Sequence, residues 1–122
     1  MLITKEYLRK NPNTIFVYGD NRLRKGFAGA AMFRSEPNTY GFITKKYPNN
    51  NDDSFYKPEE YRKVFEKELS KLEFEIRKSP NTLWLISQLG SGLANKFNIW
   101  EEVIKKELSK ISDRHHNVRL LF

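Results

Sequence analysis

Short apolar runs alternate along the chain with stretches whose apolar residues fall at helical spacing. The runs at 15–18 and 82–87 are short and continuous, which is typical of strands buried on both faces of a sheet. Residues 39–44 and 117–122 predict two further strands. Helical patterns separate these strands, and that alternation is typical of an α/β protein.

The clearest helical pattern begins at Pro58 and ends before Pro80. Its apolar residues form one stripe at steps of three or four, which consists of Tyr61, Val64, Phe65, Leu69, Leu72 and Ile76. A second helix is predicted to begin at Asn98, with Glu101 in a capping-box arrangement. Two shorter helices are predicted at 4–10 and 27–34. Together these elements predict a single domain over residues 1–122, a three-layer α/β/α sandwich with a mixed, mainly parallel sheet.

Residues 47–58 are rich in Asn, Asp and Pro and predict an exposed loop. The loop also carries two aromatic residues, Phe55 and Tyr56. The sequence leaves two interpretations open: the segment only connects two elements, or its aromatic side chains cover a bound ligand.

Composition narrows the classes of site that the chain can hold. It has no cysteine, which excludes disulfides, thiolate metal sites and cysteine nucleophiles. The only histidines, His115 and His116, are adjacent and would point to opposite faces of a strand, so no metal site is predicted. No cofactor is predicted either. No apolar run approaches the ~18–20 residues that cross a bilayer, so no membrane partner is expected. Because the chain has no cysteine and its first ten residues do not resemble a signal peptide, we expect a cytoplasmic protein.

Positive charge is concentrated in the first part of the chain. The formal net charge is +7, and residues 1–50 hold nine basic and three acidic residues, against thirteen and twelve in 51–122. A surplus of this kind attracts phosphate-bearing partners, either a nucleotide or a nucleic acid. An ordinary solvated basic surface is the alternative interpretation.

Two glycine-containing turns follow the two buried-type strands. The first runs from Gly19 to Gly29, and the second consists of Gly90, Ser91 and Gly92. In an open α/β sheet, ligands bind beyond the carboxyl ends of the strands, where glycine allows close approach of the backbone and helix starts offer N–H groups to anions. Neither turn matches the phosphate-binding loop of nucleotide hydrolases or the dinucleotide fingerprint. Chain reversal alone is the competing explanation for each turn.

The order and spacing of several motifs resemble the macrodomain family. The motifs are "IFVYGDN", "GAAM" and "LISQLGSGLANKFNIWEEVIKKEL", and the resemblance covers roughly residues 14–108. The chain is most similar to short macrodomain-like proteins of bacteria and phages, which carry an "FVFGDN" motif, a basic glycine-rich segment, a strand ending in Thr-Lys and a "GxGxGLA"-type loop. In this chain the last two appear as Thr44-Lys45 and as residues 89–94.

The resemblance implies an ADP-ribose-like ligand. Asp20 and Asn21 would lie beside the distal ribose, and the segments 26–30 and 90–93 would hold the diphosphate between them. The full set of ligand-binding residues that we predict is Gly19, Asp20, Asn21, Arg24, Gly26, Gly29, Ala30, Thr44, Lys45, Gly90, Ser91, Gly92 and Leu93.

The sequence leaves catalysis open. Asp20 is the candidate general base and Asn21 the candidate for orienting a ribose hydroxyl, although both residue types are also favoured in turns. We predict a domain that binds an ADP-ribose-like nucleotide, and that sequesters or processes ADP-ribose derivatives in a bacterial or phage setting. The first alternative is a hydrolase that removes ADP-ribose from a protein or nucleic acid. The second is a basic nucleic-acid-binding domain.

Overall fold

The computed structural model describes residues 2–27 and 29–122, which form a four-stranded sheet covered by helices. The strands are β1 (Thr14–Asn21), β2 (Thr39–Lys45), β3 (Leu83–Ile86) and β4 (Val118–Leu120). The α-helices are α1 (Lys5–Lys10), α2 (Pro58–Lys78), α3 (Lys105–Leu108) and α4 (Ile111–Arg114). Three 3₁₀ segments cover Gly29–Ser35, Asp52–Ser54 and Leu93–Asn95, and a π-helical segment, Trp100–Ile104, runs into α3.

The strand order is β2-β1-β3-β4, and all three neighbouring pairs are parallel. The predicted α/β fold is therefore confirmed, but the sheet, which was predicted to be mixed and mainly parallel, is parallel in all of its described strands. Since β2 lies on one side of β1 and β3 on the other, the chain changes direction across the sheet between β1 and β3. A crevice forms at such a point beyond the carboxyl ends of the two strands, and ligands of α/β proteins bind there.

Helical layers cover both faces of the sheet. On one face, α2 packs with the π segment, α3 and α4 around a large apolar cluster that includes Val17, Phe42, Trp84 and Ile86. On the other face, α1 and the 3₁₀ segment Gly29–Ser35 cover a smaller cluster built on Phe16, Tyr18, Phe33 and Leu85. This is the predicted three-layer arrangement. The short helix predicted at 27–34 is a 3₁₀ segment that begins at Gly29, and Ala28 lies outside the described residues.

Two side chains of α2 form hydrogen bonds with the backbone of strand β2. The Glu68 carboxylate accepts the N–H of Ile43 at 2.8 Å, and the Tyr61 hydroxyl donates to the carbonyl of Ile43 at 2.6 Å. Glu68 is buried on the predicted apolar stripe of α2, and it is tolerated there because it accepts this bond. The backbone N–H and carbonyl groups of an exposed edge strand can pair with a strand of another chain. At Ile43 both groups are already bonded to α2, so β2 cannot pair there.

The third helical region begins differently from the prediction. Asn98 does not cap it, because its φ is +65° and its side chain makes no capping bond. Instead, the Asn95 side chain accepts the N–H of Trp100 at 2.8 Å and donates to the Glu101 carboxylate at 2.9 Å. Ile99 is the residue at the N-cap position, and the side chain that accepts the free N–H at this helix start is that of Asn95, three positions before the predicted cap.

The loop at 47–58 does not expose its aromatic side chains. Phe55 is 6 % exposed and its backbone bridges to Lys45 of β2, while Tyr56 is 4 % exposed and stacks at 5.2 Å on Tyr61. Both rings belong to the packed interior, so the interpretation as an aromatic lid is wrong. In the part of the chain that the structure describes, no helix is both long and apolar enough to cross a membrane.

Candidate functional site

A cleft of about 470 Å³ lies beyond the carboxyl ends of β1 and β3, at the point where the strand order reverses. One wall comes from the end of β1 and the segment that follows it, and the other from the turn after β3. Twelve of the thirteen predicted binding residues line it: Gly19, Asp20, Asn21, Gly26, Gly29, Ala30, Thr44, Lys45, Gly90, Ser91, Gly92 and Leu93. The two glycine turns, about seventy residues apart in sequence, therefore share one cavity.

The remaining predicted residue, Arg24, does not line the cleft. Its guanidinium donates to the Asp20 carboxylate at 3.2 Å and to the carbonyl of Gly41 at 3.0 Å. Other lining residues were not predicted, namely Lys25, Ala31, Pro48, Asn50, Ser87, Gln88, Leu89 and Ala94. Several of these directly adjoin predicted residues, so widening each motif by one or two positions would have found them.

The two turns pack against each other through Thr44. A Cβ at Gly19 would lie 3.0 Å from the Thr44 hydroxyl oxygen and 3.6 Å from the backbone nitrogen of Gly90. Gly90 has a φ of +82°, and a Cβ there would lie 2.4 Å from Cδ1 of Ile104 in the π segment. Gly90 therefore lacks both the space and the backbone conformation that a side chain needs, whereas a Cβ at Gly19 would crowd the Thr44 hydroxyl.

Asp20 is buried, and its carboxylate accepts hydrogen bonds from four groups of the protein. One oxygen accepts the backbone N–H of Asn21 at 2.8 Å and a guanidinium N–H of Arg34. The other accepts Arg24 at 3.2 Å and the Tyr18 hydroxyl at 3.4 Å. A carboxylate with these four donors is held as a structural anchor, and its side chain is only 1 % exposed. Catalysis by Asp20 stays a prediction, and these contacts favour a structural role.

Asn21 is occupied in a similar way. Its side-chain oxygen accepts the N–H groups of Leu23 at 3.1 Å and Lys25 at 3.4 Å, and its amide group donates to the carbonyl of Lys25 at 2.8 Å. β1 extends through Gly19 and Asp20 to Asn21, so these residues end a strand, and the turn that was predicted to contain them begins after Asn21. The Asn21 side chain shapes that turn, as asparagine commonly does.

Gly41 of β2 leaves space for the Asp20 cluster, which consists of Asp20 with Tyr18, Arg24 and Arg34. A Cβ at Gly41 would lie 2.6 Å from a carboxylate oxygen of Asp20 and 2.7 Å from a guanidinium nitrogen of Arg24. Any larger residue would therefore push these two charged groups out of place. A glycine inside a strand often marks a bulge or a close approach of another group, and Gly41 marks a close approach.

The electrostatic character of the cleft is basic. Among the described lining residues Asp20 is the one carboxylate, and two arginines already pair with it. Lys25 and Lys45 also line the cleft, and neither has a carboxylate partner among the ion pairs of the described residues. Burial lowers the pKa of Lys45, whose ammonium contacts the Asn50 side chain at 3.2 Å. Burial disfavours the charged ammonium form of Lys45, and a bound anion beside it would favour that form and be attracted to it.

The second turn is held by a local bond. The Ser91 hydroxyl donates to the carbonyl of Gln88 at 2.6 Å, and its backbone N–H donates to the same carbonyl at 3.2 Å. The hydroxyl thus fixes the turn, and Leu93 at its far end stays 72 % exposed at the rim of the cleft. No cluster of three or more His, Asp or Glu side chains suited to a metal ion occurs in residues 2–27 and 29–122.

A family model described as a family of unknown function, DUF7831, matches residues 1–99 of the chain. No curated protein and no solved structure matches it. The matched region contains both glycine turns, the Asp20 cluster and the two lysines, so it includes every residue that lines the cleft. The chain belongs to DUF7831, a family of unknown function.

Proposed function

We propose that the protein binds an ADP-ribose-like nucleotide in the cleft between the two glycine turns. The observation that carries this proposal is the meeting of the two turns in one cavity at the strand-order reversal, where α/β proteins bind their ligands. The volume of about 470 Å³ lies within the range of roughly 300–1,000 Å³ that small-molecule sites occupy.

The groups in the cleft suit a diphosphate. Lys25 and Lys45 supply positive charge, and the only carboxylate among the described lining residues is neutralised. Within residues 2–27 and 29–122, the N–H groups of Gly90 and Gly92 donate no hydrogen bond, and the N–H of Gly92, which is exposed, is available to an anionic oxygen. Backbone N–H groups in glycine turns form concavities that bind anions. The identity of the nucleotide comes from the resemblance to macrodomains described above.

Binding without cleavage is favoured over hydrolysis. A general base needs a lone pair that faces a water molecule, and the Asp20 carboxylate instead faces Arg24, Arg34, Tyr18 and the N–H of Asn21. The Asn21 amide is likewise bound to the backbone of the following turn. A binding module of this kind would sequester or sense free or macromolecule-linked ADP-ribose. That it does so in the cytoplasm of a bacterium or of a phage-infected cell is proposed from the resemblance to macrodomain-like proteins alone.

The proposal is tested by calorimetric titration with ADP-ribose, with AMP and a single-stranded oligonucleotide titrated in parallel. We expect saturable binding of ADP-ribose, and recovery of unchanged ADP-ribose when the mixture is separated by chromatography. Gly92→Phe should weaken binding by at least about tenfold, because its side chain would fill a cleft where a Cβ meets no atom within 4 Å. Ser70→Phe, which adds the same ring to the exposed face of α2, is the matched control.

Three other results would each contradict part of the proposal. A cleaved product on the chromatogram would replace the binding module with the hydrolase. Oligonucleotide binding that weakens steeply with salt, without ADP-ribose binding, would assign the basic surface to nucleic acid. If Gly92→Phe and Ser70→Phe bound ADP-ribose equally well, the ligand would not occupy this cleft.

A further inference from the structure

Arg34 joins the end of β1 to the glycine-containing segment that follows it. It is the next-to-last residue of the 3₁₀ segment Gly29–Ser35, and its guanidinium donates both to the Asp20 carboxylate near the end of β1 and to the carbonyl of Gly26. The Arg34 side chain is 19 % exposed, and its guanidinium carbon lies 5.7 Å from the centre of the Phe27 ring. A planar guanidinium makes two bonds in fixed directions, which a lysine cannot reproduce.

The rest of the segment at 22–27 is held by polar contacts at the surface: the N–H of Arg22 donates to the carbonyl of Lys45 at 2.9 Å, and its guanidinium donates to the Tyr47 hydroxyl at 3.0 Å. The residues of this segment are all exposed, and its apolar side chains contribute little packing, since Leu23 is 46 % and Phe27 is 65 % exposed. Asn21 fixes the first turn of the segment and Arg24 ties its middle to Asp20, but Arg24 is itself 47 % exposed. Polar contacts therefore position this wall, and Arg34 makes the side-chain contact to Gly26, which lines the cleft.

We propose that Arg34 is the positioning residue of the cleft: it holds the carbonyl of Gly26 against the Asp20 anchor and so keeps the glycine wall in its ligand-binding position. The proposal rests on the proposed function only in assigning the wall to a ligand. The tie between Arg34 and the segment exists whether or not ADP-ribose is that ligand.

Trypsin tests the tie without any ligand, because the segment contains Arg22, Arg24 and Lys25. Cleavage after Lys25 is followed by mass spectrometry and divided by the rate of cleavage within α2, which reports general unfolding. In Arg34→Gln we expect this ratio to rise about tenfold, since an opened segment is cut without unfolding of the domain. Arg34→Lys keeps the charge beside Asp20 but cannot also reach Gly26, so it should show a smaller rise in the same direction.

Arg9→Gln is the matched control. Arg9 also pairs with a buried carboxylate, that of Glu36 at 2.7 Å, but it lies on α1 and makes no contact with the segment. It should leave the ratio unchanged. In a second measurement, the concentration of ADP-ribose that halves cleavage after Lys25 should be about tenfold higher in Arg34→Gln than in the wild type.

The outcomes separate the two proposals. A raised ratio in Arg34→Gln, with no protection of the wild type by ADP-ribose, would support the tie and reject the nucleotide. An unchanged ratio in both Arg34 variants would overturn the positioning role, even if ADP-ribose bound. An equal rise in Arg9→Gln would also overturn it, because the effect would then be a general loss of stability. If Arg34→Gln does not fold, Arg34→Lys decides.

Discussion

The sharpest structural prediction concerns Gly90, where one added methyl group would meet two obstacles. Its φ of +82° is a conformation that side-chain-bearing residues seldom adopt, and a Cβ would lie 2.4 Å from Cδ1 of Ile104 and 3.4 Å from Cγ2 of Thr44. Ile104 is fully buried and therefore has no solvent to move into. Gly90→Ala should consequently destabilise the whole fold and not only the turn.

The two costs can be estimated separately. A left-handed backbone costs a residue with a Cβ about 1–2 kcal/mol. Forcing an extra carbon into a packed core costs a further 1–3 kcal/mol or so, because carbon atoms ordinarily approach no closer than about 3.5 Å. We expect the free energy of unfolding to fall by about 2–5 kcal/mol, a large part of the roughly 5–15 kcal/mol that stabilises a typical domain.

Urea denaturation measures this loss, and a double-mutant cycle identifies its cause. Ile104→Val removes the Cδ1 atom that the new methyl group would meet, at a cost of about 0.5–1.5 kcal/mol on its own. In that background Gly90→Ala should cost about 1–2 kcal/mol less than in the wild type. Gly92→Ala is the control, because a Cβ at Gly92 meets nothing within 4 Å.

Two results would refute this reasoning. If Gly90→Ala and Gly92→Ala changed the free energy of unfolding equally, the turn after β3 would not have the described conformation. If Ile104→Val failed to relieve Gly90→Ala, the π segment would not support that turn.

Two further predictions concern stability away from the cleft. Burial raises the pKa of Glu73, but hydrogen bonds from Arg114 and His115 outweigh it and hold the pKa below its ordinary value of 4.5. A lowered carboxylate pKa stabilises the fold above the unfolded-state value and loses that effect as the pH falls, so Glu73→Gln should cost about 1 kcal/mol in urea unfolding at pH 7, and this cost should shrink as the pH is lowered through and below 4.5. A constant difference across that range would contradict the ion pair. Asn95→Ala removes the acceptor for the N–H of Trp100 and should cost about 1 kcal/mol, seen as a melting temperature lower by a few degrees; an unchanged melting temperature would show that the Asn95 side chain does not cap this helix start.

The sequence predicted the layers and the cleft residues well because both depend on local patterns. The apolar stripe of α2 and the continuous run of β3 reflect burial directly, and glycine turns after strands mark the binding edge of an α/β sheet. The two turns meet because β1 and β3 are parallel neighbours in the sheet, so that their carboxyl ends lie at the same edge.

Other features depend on contacts that local patterns do not encode. β1 continues to Asn21, beyond its predicted end at 18, because Asp20 pairs with Ile43 and Asn21 with Lys45 of the neighbouring strand. Strand pairing here outweighs the low β-propensity of glycine, aspartate and asparagine.

The sequence also did not predict the Asp20 cluster, because the contact with Arg34 joins residues that are distant in sequence. Arg34 lies fourteen positions after Asp20, and nothing in the sequence distinguishes it from an ordinary basic residue at the end of a short helix. Gly41 carries a weak signal, since a glycine inside a strand often marks a close approach. The sequence could therefore suggest that something approaches Gly41, but not that it is the Asp20–Arg24 pair.

The central claim is that one nucleotide contacts both glycine turns, and a two-dimensional ¹H–¹⁵N NMR titration with ADP-ribose tests it most directly. Glycine amides resonate in a distinct region of the spectrum, and the chain has six. Five of them line the cleft, namely Gly19, Gly26, Gly29, Gly90 and Gly92, whereas Gly41 does not. We predict saturable shifts at the glycines of both turns and a much smaller change at Gly41. Shifts confined to one turn, or absent from both while residues elsewhere move, would contradict the proposed cleft.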